Sequence, residues 1–75
     1  MSVTVYTKPD CPQCNATVRK LDELHIGYEL VDLTADENAL AYVRDDLGHA
    51  QAPVVVANAD HWGGYRPDRL KALAS

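Results

Sequence analysis

Val3-Thr4-Val5-Tyr6-Thr7-Lys8-Pro9-Asp10-Cys11-Pro12-Gln13-Cys14 runs a β pattern straight into a helix start, and the only two cysteines of the chain flank two residues at the junction. Val3 and Val5 alternate with Thr4 and Tyr6, which predicts a short buried strand over residues 2–6 followed by a loop through Asp10. With Cys11 at the mouth of the helix and Cys14 one turn further in, both sulfurs lie on one side and can close a small ring. Backbone N–H groups at a helix start have no partner within the helix, and the helix dipole favours negative charge there, so a thiolate at Cys11 is stabilised. Cys11 is the expected nucleophile and Cys14, deeper in the helix, the expected resolving thiol. Pro12 suits the first helical position, where no N–H bond is lost, and stiffens the turn between the sulfurs. Asp10 is a candidate N-cap whose carboxylate opposes a nearby thiolate, and Lys8 pulls the other way.

Two other chemistries could use such a pair. Half of a zinc site needs two more ligands and could recruit only His25, His49 and His61, none of which shows finger-like spacing. A structural staple gains little, because closing a four-residue loop is worth about 2 kcal/mol against about 3 for a fifteen-residue loop. Thiol–disulfide exchange is the reading the spacing favours.

Seventy-five residues predict one domain over 1–75, with room for one sheet and a few helices. The chain is 47% hydrophobic with a formal net charge of -4 and lacks a basic stripe, which argues against nucleic acid or a membrane surface as partner. Its opening enters a strand pattern at once and no later run approaches membrane-spanning length, so the expected location is the cytoplasm. In that reducing compartment a close cysteine pair is more often catalytic than structural.

Downstream of the cysteines, Cys14, Val18, Leu21 and Leu24 or His25 recur at helical spacing, predicting an amphipathic helix over 12–25 with Gly27 as its left-handed stop. Residues 28–33 read as a second strand, parallel to the first across the helical connection. Thr34-Ala35-Asp36-Glu37 resembles a capping box for a helix with Leu40, Val43 and Leu47 as its buried stripe, ending at Gly48. Ala52-Pro53-Val54-Val55-Val56-Ala57 places a proline at the head of a β-branched strand; Asn58-Ala59-Asp60 turns it, and His61-Trp62 begins the return strand of a hairpin. Pro67 suits the start of a last helix with Leu70 and Leu73 inward. The sum is an α/β sandwich around one small mixed sheet.

This order, with Cys-x-x-Cys after the first strand and a proline opening the third, resembles the thioredoxin fold in its minimal, glutaredoxin-like form. That resemblance implies a four-stranded mixed sheet flanked by three helices, β-α-β-α-β-β-α. More narrowly, Tyr6-Thr7-Lys8-Pro9-Asp10-Cys11 with Gln13-Cys14, then Ala52-Pro53-Val54-Val55, then Trp62-x-Gly64-Tyr65-Arg66-Pro67-Asp68 is similar to the NrdH-redoxins. The resemblance implies a small dithiol electron carrier, a monomer with no bound cofactor and no metal. It would be reduced by thioredoxin reductase and pass electrons to the large subunit of class Ib ribonucleotide reductase. Pro53 would be a cis-proline opposite the sulfurs, and the Ala52 backbone would pair with an extended segment of the substrate protein. Trp62 and Tyr65 would shape that binding surface, although filling the core is an equally good use of two aromatics. Lys8 and Arg66 would help a partner dock or be merely solvated.

Pro12 and Gly63 stand where NrdH-redoxins usually have an aliphatic residue and a serine, and both lean toward glutaredoxins. A glutathione-dependent glutaredoxin therefore stays open as the alternative, with a metal- or cluster-binding module behind it. Against glutathione, Tyr65 and Arg66 occupy the place where glutaredoxins typically carry an aspartate pair, and Gln13 is the NrdH choice where glutaredoxins favour an aromatic.

Overall fold

In the computed structural model, which describes residues 2–74, the element order is β1 (Val3–Thr7), α1 (Pro12–Glu23), β2 (Glu29–Asp32), α2 (Glu37–Ala41), β3 (Val54–Ala57), β4 (Asp60–Gly63) and α3 (Pro67–Leu73). The four strands form one mixed sheet in the order β2-β1-β3-β4. β1 runs parallel to β2 and antiparallel to β3, and β3 and β4 make the hairpin. This is the expected thioredoxin/glutaredoxin architecture.

The alternation of side chains across the sheet builds two cores. Val3, Val5, Val55, Ala57 and Trp62 pack on one face against Leu21 of α1, Ile26 just beyond it and Leu70 of α3. Val54 and Leu33 pack with Val43 on the other face, which α2 covers. Val5 lies opposite Val55, and Val55 opposite Trp62, so the first core is a ladder of facing residues across three strands.

The helix ends differ from the sequence expectations in instructive ways. The N-cap of α1 is Cys11 itself, whose Sγ accepts from the Cys14 N–H; Asp10, the expected cap, stands one residue too early and sits at φ 55. α1 stops at Glu23, and the left-handed residue that ends it is His25 at φ 58, not Gly27. His25 N–H bonds to Asp22 O at 3.1 Å and Ile26 N–H to Leu21 O at 3.0 Å, so Ile26 joins Leu21 in the core as the chain turns. The buried stripe of α1 is Cys14, Thr17 and Leu21, with Val18 only partly buried. At α2 the cap is Asp36, bonded to Ala39 N–H at 3.0 Å, and not a Thr34–Glu37 box. Thr34 is taken by Asp32, whose Oδ1 accepts from both its N–H and its hydroxyl. After Ala41 the helix widens to π geometry over Tyr42–Asp46; Val43 is buried there, while Leu40 of the expected stripe stays exposed.

Candidate active site

β1 delivers the chain to the carboxyl edge of the sheet, and the loop through Asp10 swings it into α1 with the cysteines at the junction. Cys11 and Cys14 are joined as a disulfide with their Cα atoms 5.2 Å apart. Cys14 N–H points at Cys11 Sγ at 3.2 Å, so a negative charge on this sulfur would meet a helix-start donor as well as the dipole. Cys11 is 5% exposed and Cys14 1%, which puts the pair beneath the rim made by the exposed Lys8, Pro9, Asp10, Pro12 and Gln13. Of the two, Cys11 is the one nearer the surface.

Across from the sulfurs lies the turn into β3. The Ala52–Pro53 peptide is cis, Pro53 is fully buried, and Ala52 O lies 4.0 Å from Cys11 Sγ. The loop after β4 closes the third side. Gly64 N–H donates to Pro53 O at 2.8 Å, and Tyr65 N–H donates to Gln13 Oε1 at 3.2 Å. Gln13 is thus tied at both ends, because the buried Thr17 hydroxyl donates to its backbone carbonyl at 2.8 Å. Gly64 sits at φ 80, and a Cβ there would stand 3.4 Å from Gln13 Oε1. Three segments distant in sequence therefore meet through two short bonds around one disulfide.

The glutaredoxin family profile matches residues 3–62. The chain belongs to the glutaredoxin family. Within it, the chain is 36% identical to the glutaredoxin-like protein NrdH of Escherichia coli K12 over 73 residues, 97% of this chain and 89% of that one. It is 38% identical to the gene 56 protein of Mycobacterium phage D29 over 74 residues, 95% of this chain and 80% of that one. The solved structure of NrdH-redoxin from Escherichia coli superposes with a TM-score of 0.93 at 36% identity, covering 97% of this chain and 95% of that one. This glutaredoxin-like chain is accordingly an NrdH-like thiol–disulfide redox protein, and its Cys-x-x-Cys is the redox-active pair.

The remaining residues singled out in this glutaredoxin-like sequence are placed unevenly. Tyr65 stands beside the site and is 36% exposed. Trp62, for which the binding surface and the core were equally good uses, fills the core: it is 5% exposed, and the Arg69 guanidinium lies 5.4 Å from the centre of its ring. Its indole Nε1 is buried with no hydrogen-bond partner among the described residues. Arg66 is exposed and engaged with Asp68 through two bonds of 3.2 and 3.0 Å, which hold the Asp68 carboxyl below its ordinary range. Lys8 borders a groove of about 520 Å³ that Ala52 also lines, whose apolar wall is Leu33, Leu40 and Val43.

Thr17 was not singled out from sequence as part of the site, and Gly64 was noted only within the Trp62-x-Gly64-Tyr65 motif. A threonine inside an apolar helical stripe was the available signal for the first; for the second the glycine itself signalled an unusual backbone, borne out at φ 80, while its bond to Pro53 depends on long-range packing. Of the three histidines weighed as zinc ligands, His25 ends α1, while His49 and His61 face each other with His49 Nε2 2.9 Å from His61 Nδ1. Among the described residues no group of three or more His, Cys, Asp or Glu side chains is arranged to hold a metal ion.

Proposed function

We propose that this protein is a dithiol electron carrier, reduced by a thioredoxin reductase and donating to the large subunit of class Ib ribonucleotide reductase. It would act in the cytoplasm as a one-domain monomer. The Cys11 thiolate attacks one sulfur of the partner's disulfide, the partner's S–S bond breaks, and its other sulfur leaves as a thiolate that takes a proton from water. Cys14, having given up its proton, then attacks Cys11 Sγ in the mixed disulfide and expels the second partner sulfur. Two electrons pass to the partner, which leaves as a dithiol, and the Cys11–Cys14 bond forms. The reductase returns two electrons from NADPH through its own flavin, so the small protein needs no cofactor.

The observation that carries this reading is the seat of the Cys11 sulfur. It is the N-cap acceptor of α1, 3.2 Å from Cys14 N, with Ala52 and cis-Pro53 facing it. The half-buried Ala52 beside the sulfurs supports docking of an extended partner segment on its backbone, with Tyr65 alongside and Lys8 and Arg66 as charged contacts. NrdH-redoxin of Escherichia coli, which shares 36% of the sequence, is a glutaredoxin-like protein with a thioredoxin-like activity profile. That supports thioredoxin reductase over glutathione as the electron source.

Glutathione is the second reading, favoured by Pro12 and by the Gly63-Gly64 pair. The structure offers another reason for one of those glycines, since a Cβ at Gly63 would come within 3.1 Å of the His49 ring. NADPH oxidation decides between them: coupling through thioredoxin reductase and not through glutathione with glutathione reductase is the expected result, and the reverse refutes the proposal. Cys14→Ser should also trap protein partners as mixed disulfides on Cys11, with the ribonucleotide reductase subunit among them.

A further inference from the structure

The two histidines that face each other tie the Ala52–Pro53 turn to the hairpin. His49 begins the segment that leads through Ala50 and Gln51 to Ala52, and its N–H bonds to Val43 O at 3.0 Å. His61 lies on β4, opposite Val56 of β3. Their rings meet edge to face with centroids 5.0 Å apart, and Gly63 leaves room for the His49 ring beside β4. A second bond joins the same two segments a few residues away, Gly64 N–H to Pro53 O at 2.8 Å.

An N···N contact of 2.9 Å between two imidazoles needs a proton on one nitrogen and a lone pair on the other. A neutral pair satisfies it, and so does a singly protonated pair, in which the bond is charge-assisted. A doubly protonated pair has two donors and no acceptor, and two like charges in contact.

The charged groups on the elements around the pair are Asp60 and Arg69 on the hairpin side and Lys8, Glu37 and Arg44 on the groove side. Asp60 Oδ1 accepts from His61 N–H, and its other oxygen pairs with Arg69 of α3. Lys8, Glu37 and Arg44 share the groove that His49 borders, and Arg44 is bonded to Asp45.

We propose that His49 and His61 form a proton-sensitive clasp that positions the Ala52–Pro53 turn, closed while either ring is neutral and open when both are protonated. They are positioning residues, acting on the reaction through the turn that faces Cys11. The effect on the reaction rests on the electron-carrier reading; the clasp itself does not.

Hydrogen exchange of the Gly64 amide in the oxidised protein tests the clasp without any partner and without a titrating thiol. From about pH 8 to about pH 5, the range in which histidine changes charge, its protection factor should fall about fivefold, the equivalent of one hydrogen bond. In His49→Gln the amide can donate to a neutral His61 or accept from a protonated one, so protection should stay level across that range. His61→Gln is the mirror variant should the first not fold. A wild-type protein with level protection, or Gln variants that follow the wild-type fall, would overturn the clasp.

The second arm compares initial rates on a protein disulfide, insulin, with those on a small aromatic disulfide, a ratio in which the thiolate fraction cancels. That ratio should fall about fivefold on acidification in the wild type and hold level in His49→Gln. A fall in protection with no change in the ratio would overturn the positioning role. Failure to reduce either disulfide at any pH would instead refute the electron-carrier reading, leaving the exchange result to stand or fall alone.

Discussion

Gly64→Ala separates the backbone geometry of the site from its chemistry. Gly64 is held at φ 80, where an L side chain costs about 1–2 kcal/mol. Alanine also restricts the unfolded chain, which returns about 0.4–1 kcal/mol, so the net destabilisation is about 1 kcal/mol. The new methyl adds no clash, since its nearest neighbour, Gln13 Oε1, would be 3.4 Å away in ordinary contact. Two replacements isolate the terms. Gly48 sits at φ 75 with nothing among the described residues within 4 Å of a Cβ, so Gly48→Ala should cost the same from strain alone. Gly27 lies outside the left-handed region with equally open space, so Gly27→Ala should stabilise by about 0.4–1 kcal/mol. Urea denaturation of the oxidised proteins reads these as opposite shifts of midpoint at constant slope; in a domain of this size 1 kcal/mol corresponds to about 4–8 °C in Tm. Relaxing the strain that the new methyl introduces pulls on the bonds from residue 64 to Pro53 and from Tyr65 to Gln13. Reduction of insulin at a temperature where all variants are folded should therefore slow about fivefold, the equivalent of one lost bond, and be unaffected by Gly27→Ala. A Gly64→Ala midpoint equal to wild type would refute the strain argument. A loss of stability with full activity would refute the claim that the link from Pro53 through Gly64 to Gln13 sets the geometry of the site.

Asp36→Ala should destabilise the protein by about 1 kcal/mol through loss of the α2 cap, while Asn at the same position retains most of it; urea midpoints check both. Asp32 titrates below the ordinary aspartate range because the Thr34 hydroxyl and N–H both bond to its carboxylate. A depressed folded value means that the stability it contributes is fully present above the unfolded value, near 3.9, and is lost as pH falls through the folded one. A carboxyl NMR titration should place Asp32 below that value, and Thr34→Ala should move it back up. Leu70→Ala empties a fully buried position and should cost about 2–5 kcal/mol, whereas Leu30→Ala, at 53% exposure on the edge strand, should stay within about 0.5 kcal/mol in the same assay.

What the sequence discloses of this protein follows the range of the interactions involved. Period-2 and period-3.6 patterns report which side of an element is apolar, and they place β1, α1, the hairpin and the inward Leu70 because burial decides those positions. Helix ends are set by which single residue takes an extended or left-handed backbone. There Cys11 displaces Asp10, Asp36 displaces Thr34 and His25 displaces Gly27, each by one or two residues. In each case a residue with suitable chemistry stood close by, and the course of the chain into the sheet chose between them. The cysteine pair was legible because its meaning is local: two sulfurs one turn apart at a helix mouth. The surroundings of that pair are not local. Gln13 reaches Tyr65 and His49 reaches His61 only because β3 and β4 pair in a register that puts Val54 opposite Gly63 and Val56 opposite His61. The same hairpin turns Trp62 into the core and leaves Tyr65 outside it, although the two stand three residues apart and carry similar aromatic signals. A motif can therefore name the reactive sulfurs, but the hairpin register decides which side chains hold the opposing turn in place, and it is there that changes leaving both cysteines intact should still alter how a partner docks.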